Sequence, residues 1–366
     1  MTSAAIVFLL SVLGVIVLFL FVFFAARKLL AANEVKRALE TREALTLAIG
    51  EFAKKGGSGF DAGIDEFVRG IQEKSQGHRA AADEVLLRAL ELPDAKYREH
   101  YLAIARRLDF PAECLAQVKS KNPGVSAMGC RRAGLYNVTE AADDMVAALD
   151  ILSSENQFEI LLGLSRLGAA EALMQAFEKI QDNIVISERA LIEIISQFPK
   201  GKEKTKLYRS IIQSGMNSVI ALFLKAADKD IARELNTDIV KVLEKGDKES
   251  RAAAVRCFST LGADAPADEL IVAMSDKDWE VRAIAARALS TIQDYGAARA
   301  LYFALFDLQW WVRQNAANSL MNHPGYEILF VLAAEAGDEY ARDSIISALE
   351  NGGSPILLRS IRVLAA

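Results

Sequence analysis

The sequence predicts an all-α chain: one transmembrane helix followed by a solenoid of stacked helix pairs. Three observations carry this reading. An uncharged apolar run occupies the start of the chain, helical periodicity fills the rest, and a two-helix unit recurs at a fixed spacing in the C-terminal half.

The apolar run extends from Ala4 to Ala26, 23 residues of mostly Ile, Val, Leu, Phe and Ala. As a helix it would be roughly 34 Å long at ~1.5 Å per residue, enough for a hydrocarbon core of about 30 Å. It lacks the basic n-region and the short length of a cleaved signal peptide. Arg27 and Lys28 follow it, and from Arg27 to Lys55 seven basic residues stand against four acidic ones. Basic residues beside a span stay on the cytoplasmic side. The expectation is therefore a single-pass protein of the plasma (inner) membrane with a cytoplasmic C-terminal domain. The three cysteines, Cys114, Cys130 and Cys257, are too few for a disulfide scaffold and suit a reducing compartment.

After the span the chain is rich in Ala, Leu, Glu, Lys and Arg up to Phe52, so the helix continues. Lys54-Lys55-Gly56-Gly57-Ser58-Gly59 reads as a hinge. The expected organisation is an anchor over 1–28, a juxtamembrane helix and hinge over 29–59, a degenerate helical region over 60–155 and a repeat domain over 156–366. Downstream segments of about 10–15 residues place apolar residues at i, i+3, i+4 and i+7, broken by Gly, Asn, Asp or Pro. The well-patterned segments show no sustained alternation, so no sheet is expected.

The repeat is read by aligning Asp276-Lys277-Asp278-Trp279-Glu280-Val281-Arg282 with Asp307-Leu308-Gln309-Trp310-Trp311-Val312-Arg313. Ala285, Ala286, Ala288 and Leu289 then fall on Ala316, Ala317, Ser319 and Leu320. Arg251 precedes Arg282 by the same spacing that separates Arg282 from Arg313, and Arg342 follows Arg313 at a slightly shorter one. Val219, Phe223 and Ala227 fit core positions further back, as does Ile192; before about residue 155 the register is lost. A two-helix unit of this size cannot bury its apolar face alone, and stacking gives one continuous core.

These residues resemble HEAT repeats, in particular the short bacterial type called phycobilisome-lyase-like. The pattern Asp-x-Asp-x-x-Val-Arg-x-x-Ala-Ala-x-Ala-Leu is nearly complete at Asp276–Leu289, good at Asp307–Leu320 and partial at Asp247–Phe258 and Asp338–Leu349. Earlier units depart from it, with Ile220 in the Arg position and Glu188 in the Val position. The resemblance implies a right-handed α–α superhelix of armadillo type. It also implies that Asp276, Arg282, Asp307 and Arg313, with Arg251 and Arg342 in the same register, are structural links between repeats. By analogy, anchored HEAT proteins look like accessory subunits of envelope-biogenesis machinery, and some relatives are bilin lyases.

Chemistry is scarce. His78, His100 and His323 are far apart, and no metal-spaced pair, Cys-x-x-Cys or Gly-x-Ser-x-Gly occurs. Gly201-Lys202 has Ser196 where a phosphate loop needs glycine. No catalytic residue, cofactor or metal is nominated, and an acidic pI near 5.5 disfavours nucleic acid. Two features suggest protein partners, including another membrane protein. Trp279 and Trp310 occupy one repeat position about 200° from the core valine, with Trp311 and Tyr302 nearby. They either pack on an adjoining loop or form a partner patch. The last helix, begun by Ser354-Pro355, is apolar around most of its circumference, with Leu358 and Ile361 as candidate contacts. It either wedges into its own array or docks a partner. The expected function is a membrane-anchored scaffold; the competing class is an enzyme or ligand-binding protein with its site in the solenoid groove.

Overall fold

The computed structural model describes residues 3–55, 57–92, 96–150, 156–181 and 183–364, without the side chains of 3–18, 25, 26, 29, 31, 57 and 58. Among the described residues every regular element is a helix. The chain divides into two compact units: residues up to Gln117 with Leu135–Val138, and Val118–Gly134 with the chain from Thr139 onward.

The first unit contains α1 (Ser3–Lys54), α2 (Gly57–Gln72), α3 (Gln76–Glu91), α4 (Arg98–Arg107) and most of α5 (Phe110–Val118). Leu45, Ile49, Phe52 and Ala53 lie along one stripe of α1 and are buried. Phe52 stacks on Phe67 at 4.3 Å, and Phe60 stacks on His100 at 4.1 Å. The His100 Nδ1 lies 2.6 Å from the Ala53 carbonyl, and the Tyr136 hydroxyl donates to Asp83 Oδ1 at 2.5 Å.

The expected span at 4–26 falls mainly on side chains outside the described residues. Within them, no helix is long and apolar enough to cross a membrane. This overturns the expected plasma-membrane localisation and cytoplasmic topology. The expected glycine hinge also lies partly outside the described residues, at residue 56.

The second unit begins with most of α6 (Pro123–Tyr136), then α7 (Ala142–Ala148), α8 (Gln157–Leu167), α9 (Ala170–Ile180), α10 (Glu188–Ser196) and α11 (Lys202–Ser214). It continues through α12 (Asn217–Ala226), α13 (Lys229–Glu234), α14 (Asn236–Lys245), α15 (Lys248–Ser259) and α16 (Ala267–Ala273). It ends with α17 (Trp279–Ala288), α18 (Tyr295–Ala304), α19 (Trp310–Leu320), α20 (Tyr326–Glu335), α21 (Glu339–Glu350) and α22 (Pro355–Leu364).

Local chemistry sets these boundaries. Ser187, Asp228, Asp247 and Asp338 each accept the amide three residues on, capping α10, α13, α15 and α21. Gly168 and Gly215 end α8 and α11 at φ 67° and 78°, a left-handed conformation that glycine adopts without a Cβ penalty.

The helices stack in two layers. In one, α8, α10, α12, α15, α17, α19 and α21 each pack on the next. In the other, α7, α9, α11 and α14 follow one another, and α16, α18, α20 and α22 continue. The core repeats with the sequence. Val281, Ala285, Ala286 and Leu289 are fully buried, as are their counterparts Val312, Ala316, Ala317 and Leu320. Small alanines at these crossings let neighbouring helices approach closely. Val219 and Phe223 are buried in α12, but Ile192 is only half-buried while Leu191, Ile194 and Ile195 are inside. The register in α10 is therefore displaced from the one read in sequence.

Candidate functional site

The residues on which the repeat pattern is built meet across successive helices. Arg251 on α15 grips Asp276 with Nε and Nη2, at 2.7 and 3.0 Å. Its Nη2 also reaches Asp278 at 2.5 Å, and its Nη1 donates to the Gly246 carbonyl. One repeat later, Arg282 grips Asp307 with the same two nitrogens at 2.7 and 3.0 Å. Planar bidentate pairing of this kind is specific to guanidinium. Burial by itself raises the Asp276 and Asp307 carboxyls. The arginine hydrogen bonds, together with the Asp278 and Gln309 amides, outweigh burial and hold both below the ordinary aspartate value.

Arg313 and Arg342 differ. Arg313 donates through Nη1 to the Asp307 and Leu308 carbonyls but meets no carboxylate among the described residues. Instead the Tyr340 ring lies 5.1 Å from its Cζ. Arg342 donates through Nε to the Ala334 carbonyl. The Arg–Asp linkage expected at these two positions is therefore absent among the described residues; for Arg313, Ala336 stands, counted back from the next signature arginine, where Asp276 and Asp307 stand.

The aromatic residues gather where the first-layer helices begin. Trp310 and Trp311, at the start of α19, are exposed and meet edge to face at 4.5 Å. Leu308 just before them is 93% exposed. Trp279 at the start of α17 is half-buried, and Tyr302 on α18 is half-buried and packs edge-on against Phe303 and Phe306. Tyr340 at the start of α21 is exposed. It was not singled out from the sequence, although its place two residues before Arg342 matches that of Trp311 before Arg313.

The final helix needs a correction. Ile361 is 0% exposed and cannot contact a partner; Leu358 is half-buried. The solvent face of α22 carries Ile356 and Val363 instead. With apolar residues around most of a helix, spacing does not tell which face turns inward.

An open groove of about 840 Å³ lies between α14 and α16, with Val240, Leu243 and Val272 among its lining residues and Glu244, Asp268, Glu269 and the rung aspartate Asp276 as its carboxylates. The seven-residue α16, preceded by a 3-10 turn at Gly262–Asp264, borders this space in the second layer.

Reactive groups are held quiescent. Burial pushes the Cys130 and Cys257 thiols up to about 12, so neither supplies a thiolate near neutrality. His323 is buried with Nε2 3.1 Å from the Leu289 carbonyl, and burial lowers its pKa. Among the described residues no three His, Cys, Asp or Glu side chains are grouped to hold a metal.

No curated protein matches the chain significantly. Among solved structures, the chain is similar to an engineered protein at 18% identity and TM-score 0.33, over 82% of this chain and 92% of that one. It is similar to Kap121p at 12% identity and TM-score 0.29, over 88% of this chain and 47% of that one. It is also similar to a chain of the Pds5–Scc1 complex at 14% identity and TM-score 0.29, over 89% and 60% respectively. Residues 236–321, the stretch from α14 through α19 that holds both Arg–Asp rungs, match the family model for HEAT repeats.

Proposed function

We propose that the protein is a protein-interaction scaffold, and that the start of α19 and α21 is its docking edge. The observation that carries this reading is the adjacency of Leu308, Trp310 and Trp311, three large apolar side chains exposed on neighbouring positions. Exposed apolar residues of this size mark interfaces when they cluster, and tryptophan is the residue that most often anchors one. The rungs beneath them supply rigidity, so little conformational freedom is lost when a partner binds.

Crosslinking in cells followed by affinity purification of the full chain tests the reading. The double variant Trp310→Ala/Trp311→Ala is expected to lose a partner that the wild type recovers. Recovery of the same partners in the same amounts would count against the edge. Burying a tryptophan at an interface contributes roughly 2 kcal/mol or more, so the loss should be plain.

A further inference from the structure

The Arg–Asp rungs are a template for one more site. In each complete rung the aspartate accepts three N–H groups. Two come from the arginine edge and one from a backbone amide: Asp278 to Asp276 Oδ1 and Gln309 to Asp307 Oδ1, both at 2.8 Å. Each arginine is also fixed from behind, Arg282 through Nη1 to the Asp276 carbonyl and Arg313 through Nη1 to the Asp307 carbonyl, both at 2.8 Å. Arg313 is thus held in the pose of Arg282.

The next repeat is two residues shorter. Counting six residues back from the signature arginine gives Asp276, Asp307 and then Ala336; counting four back gives Asp278, Gln309 and then Asp338. The donors of the rung persist, but no carboxylate stands six residues before the signature arginine, and Asp338, which follows Arg313 by the 25 residues that separate Arg251 from Asp276 and Arg282 from Asp307, does not pair with it. Arg313 is 7% exposed, and its buried Nε has no hydrogen-bond partner. The Asp338 amide finds no acceptor among the described residues. The Asp338 carboxylate accepts the Ala341 amide through Oδ1 at 2.8 Å and forms no ion pair with Arg313. Arg342 follows on the same helix, also without a carboxylate partner among the described residues. The exposed Tyr340 ring covers the guanidinium from one side.

We infer that Arg313 and the Asp338 amide form a carboxylate-binding site, filled in trans by an aspartate or glutamate side chain of the protein that docks on the Trp310–Trp311 edge. The inference rests on the interface reading above. Its chemistry is that of the two preceding rungs: a planar guanidinium edge and one amide converging on a single carboxylate. Trp310 and Trp311 lie within one helical turn of Arg313, so the partner presents an acidic residue beside apolar ones.

The probe is a fluorescein-labelled octapeptide of alternating Asp and Leu, with its Asn-for-Asp counterpart as control. Binding to the full chain is followed by fluorescence anisotropy at low ionic strength, where charge pairing is least screened. The wild type is expected to prefer the Asp peptide at least tenfold. Ala336→Asp supplies the missing carboxylate in cis and should reduce that binding at least tenfold, about 1.4 kcal/mol, without lowering the melting temperature. Equal binding of the two peptides, or unchanged binding by Ala336→Asp, overturns the site. Should Ala336→Asp melt earlier than the wild type, Arg313→Gln replaces it: the same tenfold loss supports the site and unchanged binding refutes it. If Trp310→Ala/Trp311→Ala loses the cellular partner while Ala336→Asp keeps both partner and peptide, the interface stands and the carboxylate site falls.

Discussion

Gly134 on α6 and Gly163 on α8 meet backbone to backbone: a Cβ on Gly134 would stand 2.7 Å from the Cα of Gly163. A Cβ on Gly163 would in turn stand 2.6 Å from the Cys130 carbonyl oxygen. Neither backbone atom can yield without separating the helices. Gly134→Ala is therefore expected to destabilise the second unit by roughly 1–3 kcal/mol, the usual cost of overpacking. Alanine's better helix propensity, about 1 kcal/mol, offsets only part of this. A thermal melt followed by circular dichroism would read the change; an unchanged or higher melting temperature would refute the close crossing.

The rungs make a sharper prediction. The Arg251 and Asp276 side chains are 8% and 10% exposed. Removing one partner leaves the other charge with little water, so Arg251→Ala should cost about 3 kcal/mol. Arg251→Lys keeps the charge but loses the fork that holds both carboxylate oxygens, the reach to Asp278 and the bond to the Gly246 carbonyl. It is expected to recover less than half of the loss in urea unfolding. Full recovery by lysine would mean that charge, not the planar geometry, holds the repeats together.

The repeat period made these contacts legible in the sequence, because Asp276 and Arg282 recur as Asp307 and Arg313 at one spacing. What the spacing concealed was the two-residue contraction before Arg342. It replaces the acceptor with Ala336 and brings Asp338 into the position of Asp278, so a pattern that looks like a further repeat lacks its ion pair. The inward face of α22 was hidden for a different reason. Ile356, Leu358, Ile361 and Val363 are chemically alike, and only the packing against α20 and α21 decides that Ile361 is inside and Val363 outside. The groove beside α16 was equally unreadable, since its lining comes mainly from two helices and the turns that follow them rather than from one periodic segment.

Acid should weaken the array through its paired aspartates. Burial raises the carboxyls of Asp228, Asp276 and Asp307, but their bonds to Lys204, Arg251 and Arg282 and to backbone amides bring each below the ordinary 3.8. A carboxyl whose folded pKa lies below its unfolded one contributes stability that is complete above the unfolded value. That stability disappears as pH falls through the folded value. The melting-temperature gap between wild type and Asp276→Asn should therefore be constant from pH 7 to 5 and narrow only below 3.8. Narrowing already between pH 7 and 5 would assign the effect to another group.

Tyr208 on α11 predicts a gain rather than a loss. Its side chain is fully buried, with the ring edge-on to Phe223 at 5.1 Å. The hydroxyl is buried without a hydrogen-bond partner, and burial drives its pKa upward. A desolvated hydroxyl without an acceptor costs roughly 1–3 kcal/mol, whereas the phenyl ring keeps every apolar contact. Tyr208→Phe should thus leave stability unchanged or raise it by about 1 kcal/mol, seen as a higher urea midpoint at the same slope. A fall of about 1 kcal/mol or more would show that the hydroxyl has an acceptor after all, a buried water being the simplest.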